Sequence, residues 1–519
     1  MTYCTPYLLR LGLTKSMVSL VWIAGPLSGM IMHPVIGIIA DRSTNPYGRR
    51  RPFMLIGTFF VCISLWVLGW TTEIVGLFIE DKDRQRGTVI ALAVVAIYGI
   101  DFAVNVVQAC CRSLIVDSLP IPKQQLGSAW ASRMVAIGSL IGYGFGALDL
   151  GAIFGTSIGD TQFKQLIVVS AVSLCTTVGL TCFAVTERVL VTSGKDEGGE
   201  EGFGALAMLT QIYNAASNPP ENIAAICRVQ FWCWIGWFPF LFYSTTWIGE
   251  VYLRFNAPAD AHNHPDSLGQ IGRVGSQALV AFSIITFASS VFLPWFIDTP
   301  SSDEESHFTP RPPESIAWLV TEASKWRPDL VSAWSYSHVI FAGSMVMAPF
   351  VTSFRAATAI VAMCGIPWSL ACWAPFTFMG MEINKLNSGS GASRHGPSKS
   401  RGSVELHDTK EHLEDKNEFP VSDHGDLAGV YLGLLNVYTT LPQFIGTFIS
   451  WIVFSILEPG KSPELAKEAH PDEHHSTDGY NAIAVCLFIG SLAAVIAAYA
   501  TERFKKLLAA QAQQSRSID

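Results

Sequence analysis

The sequence predicts an all-α membrane protein that crosses a lipid bilayer about eleven times. Half of its 519 residues are apolar and only 15% are charged, which is little charge for a soluble chain of this length. The apolar residues come in runs long enough for a helix to cross about 30 Å of hydrocarbon. Because a backbone in lipid must satisfy its own hydrogen bonds, we expect each of these runs to be a helix.

Eleven runs meet this length requirement. They cover residues 17–40, 53–70, 88–114, 129–148, 163–185, 223–247, 275–297, 333–351, 356–378, 427–456 and 481–500. Residues 2–13 are apolar but too few to cross a bilayer, so we expect an incomplete first helix before the eleven full spans.

The runs fall into two groups separated by a polar stretch. We expect an N-terminal bundle with a truncated first helix, a central loop, a C-terminal six-helix bundle and a tail. In that order these are residues 1–185, 186–222, 223–500 and 501–519. Two further polar loops, 299–332 and 382–426, interrupt the C-terminal bundle.

The distribution of basic residues predicts the orientation. If the loop 41–52 is cytoplasmic, about two thirds of the 34 Lys and Arg fall on the cytoplasmic side, as the positive-inside rule requires. The three long loops and the C-terminal tail then lie in the cytoplasm. The 11 cysteines lie mostly within the runs and show no metal-binding spacing, so we expect no disulfide framework, no metal and no cofactor. We see no cleavable signal peptide.

Four polar residues share one stripe of the run 88–114, namely Asp101, Asn105, Gln108 and Arg112. Asp101 lies about 20 Å from the start of this run at 1.5 Å per residue. Ionisable residues at such a depth are rare and usually functional. Asp101 is therefore a candidate to exchange a proton, and Arg112 a candidate partner for its charge or for ligand hydroxyls. The alternatives are a structural ion pair for Asp101 and an ordinary inner-end cation for Arg112.

A second stripe, in the run 427–456, consists of Asn436, Thr440 and Gln443. Pro442 beside it predicts a local kink. Amides both donate and accept hydrogen bonds, which suits a hydroxyl-rich ligand. Hydrogen bonding between helices is the alternative interpretation.

Two further side chains are candidate ligand contacts. His33 precedes Pro34 in the run 17–40 and can titrate or form a hydrogen bond to a ligand. Trp232 lies in the aromatic segment 231–237, and an aromatic face of this kind can stack on a sugar ring. Packing for His33 and lipid contact for Trp232 are the alternatives.

The loop after the first full run carries a motif with fixed spacing. It has the form Gly-x-x-x-Asp-Arg followed by Gly-Arg-Arg, made of Gly37, Asp41, Arg42, Gly48, Arg49 and Arg50. Basic residues suit a loop that faces anionic lipid. Membrane orientation alone does not explain the glycines and the aspartate at these positions.

With these motifs the sequence resembles the major facilitator superfamily. Within it the sequence resembles the sucrose/α-glucoside:proton symporters of the glycoside–pentoside–hexuronide group, of fungal type. The residues that carry the narrower resemblance are those of segments 25–29, 41–42, 48–52 and 101–112, with weaker matches at 273–275, 435–436 and 442–443. After the seventh span, plant members carry acidic and Arg residues where this chain has the segment 244–250, which favours a fungal-type carrier.

The resemblance implies two pseudo-symmetric six-helix bundles, a central sugar site, and transport by alternating access driven by protons. It implies that Asp101 couples the proton, with Arg112 as its partner, and that Asp41 and the arginine loop form a cytoplasmic gate. The expected sugar contacts come from both bundles: His33, Asn105, Gln108, Trp232, Asn436, Thr440 and Gln443.

We therefore expect a secondary active transporter, and not an enzyme, that takes up sucrose or related α-glucosides such as maltose. Its expected partners are a disaccharide, protons and the lipid bilayer, without nucleic acid. We expect a monomer in the plasma membrane, with the vacuolar membrane as the alternative. A non-transporting sugar sensor on the same fold, or a carrier of another sugar or glycoside, remains open because one scaffold hosts many substrates.

Overall fold

The described part of the chain is almost entirely α-helical. The computed structural model describes residues 3–41, 43–118, 121–187, 217, 219–257, 267–297, 327–392, 424–461 and 481–516. The N-terminal half contains α1 (Cys4–Arg10), α2 (Lys15–Val21), α3 (Ala24–Asp41), α4 (Arg51–Gly69), α5 (Thr71–Gly76), α6 (Lys82–Ser118), α7 (Ile121–Ala147), α8 (Leu150–Phe154) and α9 (Gln162–Ala184). The C-terminal half contains α10 (Glu221–Phe255), α11 (Ser267–Phe296), α12 (Leu330–Val346), α13 (Phe354–Met363), α14 (Gly365–Ala392), α15 (His424–Leu457) and α16 (Ala482–Arg516).

Ten helical segments of the described chain are long and apolar enough to cross a membrane, judged by length and composition. They correspond to ten of the eleven predicted runs. The remaining run, 129–148, lies almost entirely within α7, which also carries Arg133. The prediction of an all-α membrane protein is therefore confirmed.

Prolines divide two of the predicted runs. The run 17–40 is split between α2 and α3, and the run 356–378 between α13 and α14. Pro26 and Pro367 have no backbone N–H to donate to the residue four positions earlier, Trp22 and Met363. Each break falls where that hydrogen bond is missing, so the expectation of one unbroken helix per run was wrong at these two places.

Several helices run beyond the predicted ends of the spans. α14 continues to Ala392 and α16 continues to Arg516. Most of the three predicted loops, 186–222, 299–332 and 382–426, lies outside the described residues.

Each half is built by long helices that pack side by side. In the N-terminal half α6 packs against both α3 and α4, and in the C-terminal half α10 packs against α15 and α16. The α10–α16 contact is unusually close, because a Cβ on Gly236 would lie 2.7 Å from the Gly490 carbonyl oxygen. Contacts of α7 with α11, and of α15 with α2 and α3, join the halves.

We name the two ends of the bundle by the arginine motif. The arginine-loop end is the one at which α3 ends and α4 begins, and the other is the opposite end. Polar contacts between the halves lie at the opposite end, where Thr5 Oγ1 donates to the Phe242 carbonyl oxygen over 3.3 Å. Arg273 also pairs there with Asp149, with 3.4 Å between Nη1 and Oδ1.

Candidate functional site

Asp101 lies in the middle of α6, about 26 Å from the helix end at Ser118 at 1.5 Å per residue. Its side chain is buried, with 7% of the residue exposed. Among the described residues no hydrogen bond reaches its Oδ2 atom, and no Lys, Arg or His forms an ion pair with it. A buried carboxylate without a partner is costly to keep charged. The structure thus places Asp101 where a bound proton would replace the missing partner.

Asn105, one turn further along α6, ties this helix to α3. Its Nδ2 donates to Ser28 Oγ over 2.9 Å and to the Asp101 carbonyl oxygen over 2.8 Å. The amide oxygen Oδ1 lies 3.1 Å from His33 Nε2. Because Nδ2 faces two acceptors, Oδ1 must accept, and His33 Nε2 is therefore the donor. His33 Nδ1 is left available to a ligand or a water molecule.

Exposure rises along the stripe towards the arginine-loop end. Asp101 is buried, Asn105 is half-buried, and Gln108 and Arg112 are exposed. The charge of Arg112 acts on the His33 ring, so both side chains belong to one region of the α3–α6 pair. Arg112 forms no ion pair with Asp101, from which eleven residues of helix separate it by about 16 Å. The predicted partnership of the two charges is not a direct contact in this conformation.

The predicted stripe on α15 is partly occupied by bonds within its own helix. Thr440 Oγ1 donates to the Asn436 carbonyl oxygen over 2.7 Å, and Gln443 Nε2 donates to the Thr439 carbonyl oxygen over 3.0 Å. Both bonds flank Pro442, which lies inside α15 and interrupts its backbone ladder. The half-buried Asn436 amide has no hydrogen bond among the described residues. Asn436 and the Gln443 amide oxygen therefore keep polar groups available to a ligand.

The helices that carry these polar residues are neighbours. α3 packs against both α6 and α15, so His33 lies on the element between the two stripes. Trp232 is on α10, which packs against α15. The residue is 36% exposed, and its ring meets Phe231 edge-on at 5.6 Å between ring centroids. Stacking of a sugar on Trp232 remains a prediction.

At the arginine-loop end a carboxylate caps α4. Glu187 Oε1 accepts from the Arg50 backbone N–H over 3.0 Å, and Oε2 accepts from the Arg51 backbone N–H over 3.3 Å. A negative charge at a helix N-terminus offsets the partial positive charge of the unpaired N–H groups. Gly48 has a φ of +116° and lies so close to the Glu187 carboxylate that a Cβ would overlap it.

The other residues of the arginine motif differ in how deeply they are buried. Arg50 is buried, with 5% of the residue exposed, and Arg49 is half-buried. A Cβ on Gly37 would meet open space, so packing alone does not require glycine there. Arg42 and the side chain of Asp41 lie outside the residues that the structure describes.

Two functional candidates were not singled out from the sequence. Ser28 contacts the stripe through a tertiary hydrogen bond across 77 residues, and only its place in the segment 25–29 pointed to it. Glu187 contacts the arginine loop across 137 residues. An acidic residue just after a span that ends at the cytoplasmic side was the one available signal for it.

Known proteins are similar to this chain in sequence and in architecture. Residues 1–249 match the family described as MFS/sugar transport protein. The sequence is 32% identical to the general alpha-glucoside permease of Schizosaccharomyces pombe, over 96% of this chain and 88% of the relative. The chain belongs to the major facilitator sugar-transport family. This transporter is also 25% identical to the sucrose transport protein SUC4 of Arabidopsis thaliana, over 75% of each chain.

Solved structures agree on the fold of the transporter. A point mutant of the nucleoside transporter NupG matches with a TM-score of 0.51 at 10% identity, over 97% of this chain and 94% of that one. A proton dependent oligopeptide transporter matches with a TM-score of 0.52 at 10% identity, over 98% and 99%. The predicted major facilitator fold is thereby confirmed. The transporter is a multi-pass integral membrane protein and not an enzyme.

Proposed function

We propose that this transporter takes up sucrose or related α-glucosides such as maltose together with protons, by alternating access. The names of the relatives support the substrate class, because one is an alpha-glucoside permease and another a sucrose transport protein. Asp101 is buried, and among the described residues it has no ion-pair partner and its Oδ2 has no hydrogen bond; this observation carries the proton coupling. The resemblance stated from the sequence assigns the same role to this residue.

The coupling follows from the cost of charge in a closed, apolar environment. A proton bound to Asp101 makes the residue neutral, and the neutral form tolerates the buried site when the bundle changes conformation. Release of the proton leaves a charge that requires water or a cation nearby. Arg112 lies along the route from Asp101 to the arginine-loop end and is the cation that a deprotonated Asp101 would meet through intervening water.

The conformation is consistent with a cavity that opens to the cytoplasm. The exposed Gln108 and Arg112 lie towards the arginine-loop end, which we assign to the cytoplasm from its basic residues. The halves are joined at the opposite end, which is then extracellular. In this inward-facing state the Glu187 cap fixes the start of α4, and the arginine loop of this half is part of the cytoplasmic gate.

The sugar site lies between the two stripes. Hydroxyl-rich ligands require both donors and acceptors, and these are the Asn436 amide, His33, the Gln443 amide oxygen and the remaining lone pair of Asn105 Oδ1. Arg112 and Gln108 line the approach from the cytoplasm. We propose that the transporter works as a monomer in the plasma membrane, since each chain contains both halves of the site.

Transport into proteoliposomes tests this function. With an inward proton gradient, the wild-type transporter accumulates labelled maltose or sucrose above the equilibrium ratio of one. Asp101→Asn places a permanently neutral side chain at the coupling position. We expect accumulation to fall to the equilibrium ratio while exchange of labelled for unlabelled sugar continues.

The exposed Asp160 provides a matched control, because it lies at the opposite end and pairs with Lys164 over 2.8 Å. Asp160→Asn is expected to accumulate sugar like the wild type. Full accumulation by Asp101→Asn would contradict the coupling role. Sugar binding without any flux in the wild type would identify a sensor, and competition by unlabelled sugars that excludes α-glucosides would identify a different carrier.

A further inference from the structure

A buried cluster of opposite charges joins the two halves at the opposite end of the bundle, away from the Asp101 stripe. Lys15 Nζ lies 2.5 Å from Glu250 Oε1 and 2.5 Å from Glu458 Oε2. The three side chains are between 2% and 5% exposed. Lys15 belongs to α2 in the N-terminal half, whereas Glu250 lies on α10 and Glu458 directly follows α15 in the C-terminal half. We call these three residues the outer clasp.

The C-terminal half holds both carboxylates of the outer clasp in place. Asn481 Nδ2 donates to Glu250 Oε2 over 2.6 Å, and the Ala482 N–H at the start of α16 donates to Glu458 Oε1 over 3.1 Å. Arg254 Nη2 lies 3.8 Å from Glu458 Oε1. Each carboxylate therefore uses one oxygen within its own half and presents the other to Lys15.

Within its own helix, Lys15 occupies an electrostatically unfavourable position. It is the first residue of α2, after the Thr14 cap whose side chain accepts from the Met17 N–H. A positive charge at a helix N-terminus is unfavourable, because the unpaired N–H groups there already carry partial positive charge. The two carboxylates of the other half compensate this charge only while the halves are together.

The contact below the outer clasp is dry. The space between the halves there is lined by Thr5, Leu9, Lys15, Val18, Tyr243, Phe454 and Ile483, and it does not admit a water molecule. Removing one partner from a buried ion pair is strongly unfavourable, whereas separated ions in water are well solvated. The outer clasp thus tolerates a fully closed, dry state or a fully open, hydrated state, and it disfavours intermediates.

We propose that Lys15, Glu250 and Glu458 form the extracellular gate of the transporter and set its balance between inward- and outward-facing states. This inference rests on the proposed alternating-access function. Among the described ion pairs, Lys15 and Arg254 face the carboxylates of Glu250 and Glu458 when the gate is closed. Opening to the outside separates Lys15 from both carboxylates and admits water, and closing expels that water.

Single neutralisations test the gate by labelling from outside. Val18→Cys places a thiol in the dry space, where a membrane-impermeant thiol reagent reaches it only when the outer side is open. The same chain without Val18→Cys gives the background from the native cysteines. With Lys15→Gln we expect labelling of this thiol to rise at least about fivefold, a shift of about 1 kcal/mol towards the outward-facing state.

Double substitution tests whether the effect comes from charge balance. Lys15→Gln together with Glu250→Gln leaves Glu458 paired with Arg254, so we expect labelling to return close to that of the unmutated gate. Asp149→Asn is the matched control, because the Asp149–Arg273 pair also joins the halves at this end but its carboxylate is 57% exposed, against 2–3% for the carboxylates of the outer clasp, and a solvent-screened pair contributes little. We expect Asp149→Asn to leave labelling unchanged.

The outcomes separate the gate from the proposed function. Labelling of Lys15→Gln equal to that of Asp149→Asn overturns the gate, whatever sugar is transported. Labelling that changes as expected supports the gate even if Asp101→Asn refutes the proton coupling. If the single variants fail to fold, a folded double variant still supports the charge balance, and a double variant that also fails while Asp149→Asn folds overturns it.

Discussion

The Asn105 amide makes the hydrogen bonds that hold α6 against α3, and Asn105→Leu removes them while keeping the side-chain size. The lost contacts are those to Ser28 Oγ, to His33 Nε2 and to the Asp101 carbonyl oxygen. The carbonyl oxygen is in a helix and loses little, so two bonds of about 1 kcal/mol each determine the cost. In the proposed site the sugar binds the arrangement of His33 and α3 that these bonds hold, so binding to the variant must restore that arrangement at a cost of about 2 kcal/mol, which lowers the affinity by about thirtyfold.

The assay is the initial rate of proton-driven sugar uptake as a function of sugar concentration. Asn105→Leu is expected to raise KM by about thirtyfold, and Ser28→Ala, which removes one bond, by about fivefold. Ser28→Ala should add little once Asn105 is leucine, because its partner is already gone. Thr177→Val is the control, since the bonds that this hydroxyl donates to described residues lie within α9. A KM of folded Asn105→Leu within twofold of the wild type would refute this role.

Three further predictions concern other parts of the chain. Gly48→Ala is expected to lower the free energy of unfolding by about 1–2 kcal/mol, because its φ of +116° is strained for alanine, whereas Gly37→Ala should be nearly neutral; thermal unfolding in detergent compares them. Asn436→Ala is expected to raise the sugar KM by about tenfold through the loss of one ligand hydrogen bond, since this amide has no hydrogen bond within the described part of the chain; an unchanged KM would remove Asn436 from the site. Partial burial raises the pKa of Asp329, but the hydrogen bonds from Ser332 and the charge of Lys505 outweigh it and lower that pKa. The stabilisation from Asp329 is therefore present at neutral pH and is lost as the pH falls through the lowered pKa. When the pH is lowered from 7 to below about 4, the melting temperature of Asp329→Asn should fall less than that of the wild type.

The helical architecture was predictable because a backbone in lipid must form a helix or a closed barrel, and uninterrupted apolar runs of about 20 residues are typical of helices. Composition alone therefore located the spans, and helical spacing put Asp101, Asn105, Gln108 and Arg112 on one stripe. The positions of the helix breaks were not predicted, although Pro26 and Pro367 are visible in the sequence. A proline in a long apolar run can be absorbed as a kink, as Pro442 is in α15, and local sequence does not decide between a kink and a break.

The partners of the site residues were harder to predict than the site residues themselves. Lys15 stands 235 residues before Glu250 and 443 before Glu458, so no spacing in the sequence relates them. Ser28 and Glu187 were likewise missed as individual contacts, because each acts through a bond made only after the helices pack. Helical periodicity identifies which residues share a face, but it does not say which face of another helix they meet.

The close contact between Gly236 and Gly490 affects how force passes through the C-terminal half. Pro239 removes a backbone hydrogen bond from α10 within one turn of Gly236, and this is where a long helix would normally bend. Because no side chain lies between the two backbones at Gly236 and Gly490, no rotamer change can let α10 slide along α16. The contact with α16 therefore stiffens α10 at the position of Pro239. α10 then behaves as a stiff rod about 52 Å long. We therefore expect a displacement of Glu250 to reach Trp232, about 27 Å away along the same helix, so that opening of the proposed gate also moves the proposed sugar contact.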